Sequence, residues 1–121
     1  MITALVIDDN KQTTDALIQM LKLWDIESRA ALGPGAAMKI LGEMTPKIVF
    51  LDINMPGVDG FEVLSYLRRE PRLSGVPVIV VTSDDQPETA RHALESGAIA
   101  VVLKPVMVEI LEGALSASGI I

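Results

Sequence analysis

The chain has 121 residues, a length that suits one domain spanning 1–121, and half of them are hydrophobic, enough for a sizeable core. Its net charge of −6 argues against direct nucleic-acid binding, because neutralising phosphates takes clustered Lys and Arg. With no cysteine, disulfides, thiolate metal sites and thiol catalysis are excluded.

Residues 2–8 read as a buried strand that runs into two acids, Asp8 and Asp9. Asn10 then caps a helix over about 11–24, with Leu17, Met20, Leu21 and Trp24 on one face. A short, polar strand is expected near 27–31. Gly33-Pro34-Gly35 is a turn, and a helix over about 35–43 carries Ala36, Ala37, Ile40 and Leu41. Thr45-Pro46 stops it. The stretch from Lys47 to Asp52 is an apolar run ending in a single carboxylate, which reads as a strand buried on both faces. A loop containing Pro56, Gly57 and Gly60 follows, then a helix over about 61–69 with Phe61, Leu64 and Leu67. Residues 76–81 form a fourth strand leading into Thr82, Ser83, Asp84 and Asp85; Pro77 is tolerable near its start. A helix over about 87–96, a fifth strand over 99–103 ending in Lys104-Pro105, and a last helix over about 107–117 complete the chain.

Five alternations of strand and helix demand an α/β fold with a parallel sheet covered on both faces. Right-handed crossovers and five strands point to a flavodoxin-like, doubly wound (βα)5 sheet in the order 2-1-3-4-5. In such sheets ligands sit outside the carboxyl ends of the strands. That edge would gather Asp8, Asp9, Asp52, Thr82 and Lys104.

Three carboxylates held together repel: two unit charges about 4 Å apart cost about 4 kcal/mol at an effective dielectric near about 20. A counter-ion is therefore expected, and hard oxygen donors suit Mg²⁺. A metal, the Lys104 ammonium and the Thr82 hydroxyl around one carboxylate would stabilise a phosphoryl group on Asp52. Taken singly, Asp8-Asp9 also reads as acids favoured at a helix start, Thr82-Ser83 as an N-cap pair and Lys104 as a solvated strand end. His92 reads as a surface or half-buried helix residue and not as a ligand.

The motifs Asp8-Asp9, Asp52 with Met55-Pro56-Gly57 and Asp59-Gly60, Thr82, and Lys104-Pro105 come in this order, each site group at a strand end. In this the chain resembles the receiver domain of two-component response regulators, the CheY-like fold, over its whole length. The resemblance implies that Asp52 accepts a phosphoryl group from a histidine kinase, a phosphotransfer protein or a small acyl phosphate. It implies Mg²⁺ on Asp8, Asp9 and Asp52 with the backbone carbonyl of Asn54. Thr82 would donate its hydroxyl to the phosphoryl group, Lys104 would pair with it, and the bond before Pro105 would be cis. The domain would catalyse only its own phosphorylation and dephosphorylation. The phosphorylated state would be read on the helix near 87–96, the fifth strand and the last helix.

The chain departs from the family where the signal is relayed. Val101 stands where the family usually has Tyr or Phe, Val106 stands where Phe often follows the Lys-Pro pair, and the fifth strand lacks the acids that pair this face in winged-helix regulators. Asn54 and Asp84, two residues after the acceptor and after Thr82, occupy positions that influence hydrolysis, so a short-lived phosphoryl group is expected. The last helix is unusually apolar, which fits a homodimer, a downstream output domain or a broad core face. Competing readings are a pseudo-receiver that keeps the fold as an interaction module, an aspartyl-phosphate hydrolase of the haloacid-dehalogenase kind, and a flavin-binding domain. The hydrolase would need an Asp-x-Asp pair after the first strand, and a flavin would need a phosphate-cradling loop there. The N-terminus has no basic flank and its apolar run breaks at Asp8, and no apolar stretch reaches the roughly 18 residues of a membrane span, so a cytoplasmic domain is expected.

Overall fold

A computed structural model describes residues 2–121. The elements in chain order are β1 (Ile2–Ile7), α1 (Lys11–Leu21), β2 (Ile26–Ala31), α2 (Pro34–Glu43), β3 (Ile48–Leu51), β4 (Asn54–Met55), β5 (Val58–Asp59), α3 (Gly60–Arg69), β6 (Val78–Thr82), α4 (Pro87–Glu95), β7 (Ala100–Leu103) and α5 (Val108–Ala117). The parallel five-stranded sheet has the order β2-β1-β3-β6-β7, which is the flavodoxin-like order expected of five βα units.

Alternation along the strands divides the core into two layers. Leu5 and Ile7 of β1, Val49 and Leu51 of β3, and Val78 and Val80 of β6 pack with Ala37 and Leu41 of α2, Val63, Leu64 and Leu67 of α3, and Ala93 of α4. Ala4 and Val6, Ile48 and Phe50, and Ile79 and Val81 face the other way, onto Leu17 and Leu21 of α1 and Leu111, Ala114 and Leu115 of α5. The central strands β3 and β6 are buried at every residue, which is why they read as unbroken apolar runs. The polar character of β2 has an equally simple cause. It is an edge strand, and only Ile26 and Ala31 at its two ends are buried.

Several boundaries differ from the sequence expectation. The first helix is α-helical only to Leu21; a 3-10 turn over Lys22–Trp24 follows, closed by Asp25 at φ 57°. Asn10 does cap α1, its side chain accepting from the Thr13 amide. The fourth strand begins at Val78, after Pro77, and α3 begins at Gly60 with the Asp59 side chain accepting from the Phe61 amide. The Pro-Gly loop is a hairpin: Met55 pairs with Val58 and Asn54 with Asp59 across the Pro56-Gly57 turn. Proline followed by glycine at φ 72° is the arrangement a type II turn requires. His92 is exposed and stacks on Phe61 of α3, the ring centroids 3.9 Å apart.

Candidate functional site

Strand register builds the site. Ile7 pairs with Leu51 and Thr82 with Leu103, so Asp8 and Asp52 leave β1 and β3 side by side, and Lys104 leaves β7 next to Thr82. The ladders run one residue past the strands. The Asp8 amide donates to Ala31 O at 3.1 Å, the Asp52 amide to Ile7 O at 2.9 Å and the Lys104 amide to Thr82 O at 2.8 Å. The backbone of each group is thereby fixed by the sheet and not left to a free loop.

Two short turns aim the carboxylates. Asp8 Oδ1 accepts from the Asn10 amide and Asp52 Oδ1 from the Asn54 amide, both at 3.0 Å. These are Asx turns, which fix one oxygen and leave the other for the site. Gly60 lets the hairpin fold back against this backbone. A Cβ there would lie 2.2 Å from Ile53 Cα and 2.9 Å from Asp52 O, so only glycine fits.

Asp8, Asp9 and Asp52 each bring a carboxylate oxygen within 4.8 Å of the others. Asp8 and Asp52 are buried, at 2% and 4% exposure, while Asp9 is exposed and opens the cluster to solvent. Among the described residues the one cation beside them is Lys104, whose Nζ lies 2.9 Å from Asp8 Oδ2 and 3.4 Å from Asp52 Oδ2. Burial pushes the Asp52 carboxyl above its ordinary range. The Asn54 amide opposes this, the Asp8 charge adds to it, and Lys104 offsets it in part. Burial also works against the Lys104 charge, yet the bond to Asp8 and the charges of Asp52 and Asp8 outweigh it, and its pKa is raised. Three carboxylates facing one ammonium leave an excess of negative charge in a space of hard oxygen donors, which fits a small divalent cation.

Thr82 is fully buried at the end of β6. Its Oγ1 accepts from Asn54 Nδ2 at 2.9 Å and from the Asp84 amide at 3.1 Å. Asp84 in turn accepts from the Gln86 amide at 2.9 Å and the Thr89 hydroxyl at 2.6 Å. The hydroxyl of Thr89, then the Gln86 amide, hold the Asp84 carboxyl below its ordinary value. The Lys104–Pro105 bond is cis. Val101 is half-buried and packs against the core layer that carries α2, α3 and α4. Sequence reasoning named the other residues but missed Gln86 and Thr89, which carry no motif, and the structural need for Gly60.

Beside the acids a cavity of about 420 Å³ lies between α1 and the β7–α5 loop, lined by Thr13, Ala16, Leu17, Met20, Pro105 and Val106 among others. Apolar side chains are also exposed across α4, β7 and α5: Leu94, Ile99, Leu103, Met107, Val108 and Ile110. The last helix buries only Leu111, Ala114 and Leu115, so its excess apolar residues are not core.

Residues 4–116 match the family model described as the response regulator receiver domain. The chain belongs to that family. A probable cyclic di-GMP phosphodiesterase of Vibrio cholerae is 32% identical over 110 residues, covering 91% of this chain and 25% of that protein. Response regulator PleD of Caulobacter vibrioides is 32% identical over 102 residues, 84% of this chain and 22% of PleD. The chain thus spans about a quarter of the length of these curated relatives. The signal receiver domain of a DNA-binding response regulator from Colwellia psychrerythraea 34H superposes with a TM-score of 0.88 at 26% identity, covering 96% of each chain. Receiver domains are phosphorylation-activated signalling domains of two-component systems and not classical enzymes, and this chain has that fold and an acidic cluster at its ligand edge. Among the described residues no helix is long and apolar enough to cross a membrane.

Proposed function

We infer that Asp52 is the phosphoacceptor of a receiver switch. The observation that carries this is the convergence of Asp8, Asp9, Asp52 and Lys104 at one sheet edge of a receiver fold. A carboxylate oxygen of Asp52 attacks the phosphorus of a phosphohistidine on a kinase or phosphotransfer protein, or of a small acyl phosphate. A new O–P bond forms as the P–N or P–O bond breaks, and the electron pair leaves with the imidazole nitrogen or the acyl oxygen. Asp8, Asp9, Asp52 and the Asn54 carbonyl would hold Mg²⁺, which when bound neutralises charge on the transferring oxygens. Lys104 supplies a second positive charge and Thr82 a hydroxyl donor to the same oxygens. The cavity between α1 and the β7–α5 loop suits a docking partner that brings the phosphoryl donor to Asp52.

The modified carboxylate carries about −1.5 to −2 charge at neutral pH, the lever for a population shift. The apolar exposure over α4, β7 and α5 supports an output partner there, whether a second copy or a downstream domain. Phosphoryl lifetime rests on the polar side chains of Asn54 and Asp84, which can orient an attacking water; Asn54 also donates to Thr82, and Asp84 accepts from Gln86 and Thr89. Decay of the phosphoryl group should slow several-fold in Asn54→Ala; an unchanged decay rate removes Asn54 from that role.

The deciding experiment is incubation with Mg²⁺ and acetyl phosphate, followed by intact mass spectrometry of wild type and Asp52→Ala. A phosphoryl adduct on the wild type alone is expected. A wild type that never acquires one leaves the pseudo-receiver reading in its place.

A further inference from the structure

The strands β2 and β7 close the sheet at its two sides. A bare edge strand templates pairing with another chain, and proteins usually blunt it with proline, a bulge or charge. β2 has no proline and pairs with β1 without interruption from Ile26 to Ala31. Its two charges, Glu27 and Arg29, are exposed and of opposite sign, so register decides whether they block a second strand or hold it. The Asp8 amide donates to Ala31 O, so Ala31, Arg29 and Glu27 aim their backbone groups at β1. These directions alternate along a strand, and the N–H and C=O groups of Ile26, Ser28 and Ala30 therefore point away from the sheet.

Only residues with outward backbone groups can face one another as hydrogen-bonded pairs, which leaves few antiparallel registers about a two-fold axis. Setting Ile26 against Ser28 puts Glu27 on Glu27. Setting Ser28 against Ala30 puts Arg29 on Arg29. Registers centred on Ile26 or on Ala30 overlap only the strand ends. Setting Ser28 against itself pairs Ile26 with Ala30 and puts Glu27 of each copy opposite Arg29 of the other. Those charges then occupy non-hydrogen-bonded positions, where Cα atoms are about 4.5 Å apart and side chains lie closest. Neither is firmly held within its own copy. Glu27 has no ion pair among the described residues, and Arg29 has only a 3.9 Å approach to Glu43 and a 3.8 Å contact with Met44 Sδ.

The centre of that register is also where a partner is missing. The Ser28 hydroxyl is buried and has no hydrogen-bond partner. Buried polar groups are rarely left so. A second Ser28 across the axis, on the same face of the joined sheet, supplies one. Leu23 and Leu32 flank the strand and are 66% and 49% exposed. An antiparallel partner brings Leu32 of each copy to the end where the other's Leu23 lies, which takes apolar surface out of water.

We propose that two copies of this chain join through β2, antiparallel about Ser28, with reciprocal Glu27–Arg29 pairs. The two sheets become one, and their acid clusters open at opposite ends of it. The α4–β7–α5 face lies at the far side of each copy and stays free for an output partner. The inference stands apart from the phosphoacceptor reading.

Sedimentation velocity of the whole chain across a concentration series tests it. Wild type is expected to dimerise. Glu27→Arg and Arg29→Glu each turn both pairs into like-charge contacts and should raise the dissociation constant about tenfold or more, while the double reversal should return to within about threefold of wild type. The chain has no cysteine, so Ser28→Cys gives a second, unambiguous measurement. Cα atoms of a hydrogen-bonded pair lie about 5.5 Å apart, within disulfide range, and oxidised glutathione should yield a covalent dimer. A wild type that is monomeric at every concentration overturns the proposal. So does a dimer that neither reversal weakens, since its contact lies on another face. Loss in the single reversals without recovery in the double, or a wild-type dimer whose Ser28→Cys form never crosslinks, overturns the register and the proposal with it.

Discussion

Replacing Asp52 with asparagine should make the protein more stable in the absence of divalent cations. The carboxylate is 4% exposed and shares its space with Asp8 and Asp9, their oxygens within 4.8 Å. At that distance the Asp8–Asp52 repulsion is about 3.5 kcal/mol for an effective dielectric near about 20. The attraction to Lys104 at 3.4 Å is about 5 kcal/mol on the same scale, but Lys104 keeps its shorter 2.9 Å pair with Asp8 in the variant. The Asn54 amide bond survives in weaker form, because an asparagine carbonyl is a neutral acceptor. Burial of the charge decides the balance, as the upward shift of the Asp52 carboxyl indicates. A net gain of about 1 kcal/mol is expected, or about 4 °C in melting temperature for a domain of this size.

The pH dependence has a definite sign. A carboxyl whose folded pKa is raised contributes stability that is fully present below its unfolded pKa and is lost as pH rises through the folded value. Wild type and Asp52→Asn should therefore converge in acid, and the gap should open as pH rises past the ordinary carboxylate range. Saturating Mg²⁺ should close or reverse it, since a ligand at a hundredfold its Kd adds about 2.7 kcal/mol to the form that binds it. Thermal melts in EDTA and in Mg²⁺ across the pH series measure all three effects. An Asp52→Asn protein that melts at or below wild type near about pH 7 in EDTA refutes the reasoning.

Two further substitutions probe the same edge. Lys104→Met removes the one cation that touches both buried carboxylates and should cost about 2–3 kcal/mol in a urea melt, with Mg²⁺ recovering part of it; a loss within about 0.5 kcal/mol counts against the electrostatic account. Gly60→Ala drives a methyl into the Ile53 backbone and should cost more than about 3 kcal/mol and displace Asp52, seen as a large drop in melting temperature and loss of phosphoryl transfer; a variant that melts within about 2 °C of wild type contradicts the contact geometry.

The alternation of strands and helices, and the carboxylate or cation at the end of each apolar run, were legible because burial patterns are local. A strand buried on both faces has to be apolar throughout, and β3 and β6 are. The acid ending the run before Ile53 marks a ligand edge for the same reason. The sequence reading missed what depends on contacts across the fold. The hairpin at Asn54–Asp59 is two residues per strand, too short for any periodicity to register. Thr89 looks like any helix residue until Asp84 comes within 2.6 Å of it.

By itself, then, the order of residues determined the layers, the strand order and the cast of polar groups, since each follows from hydrophobic period and from the rules of right-handed crossover. Tertiary structure decided how those groups meet. The pairing of Ile7 with Leu51 and Thr82 with Leu103 brings Lys104 nearer to Asp8 than to Asp52 and turns Asn54 onto Thr82. Differences of a few tenths of an ångström in the distances between side chains far apart in the chain are set by register and packing, and no local pattern encodes them.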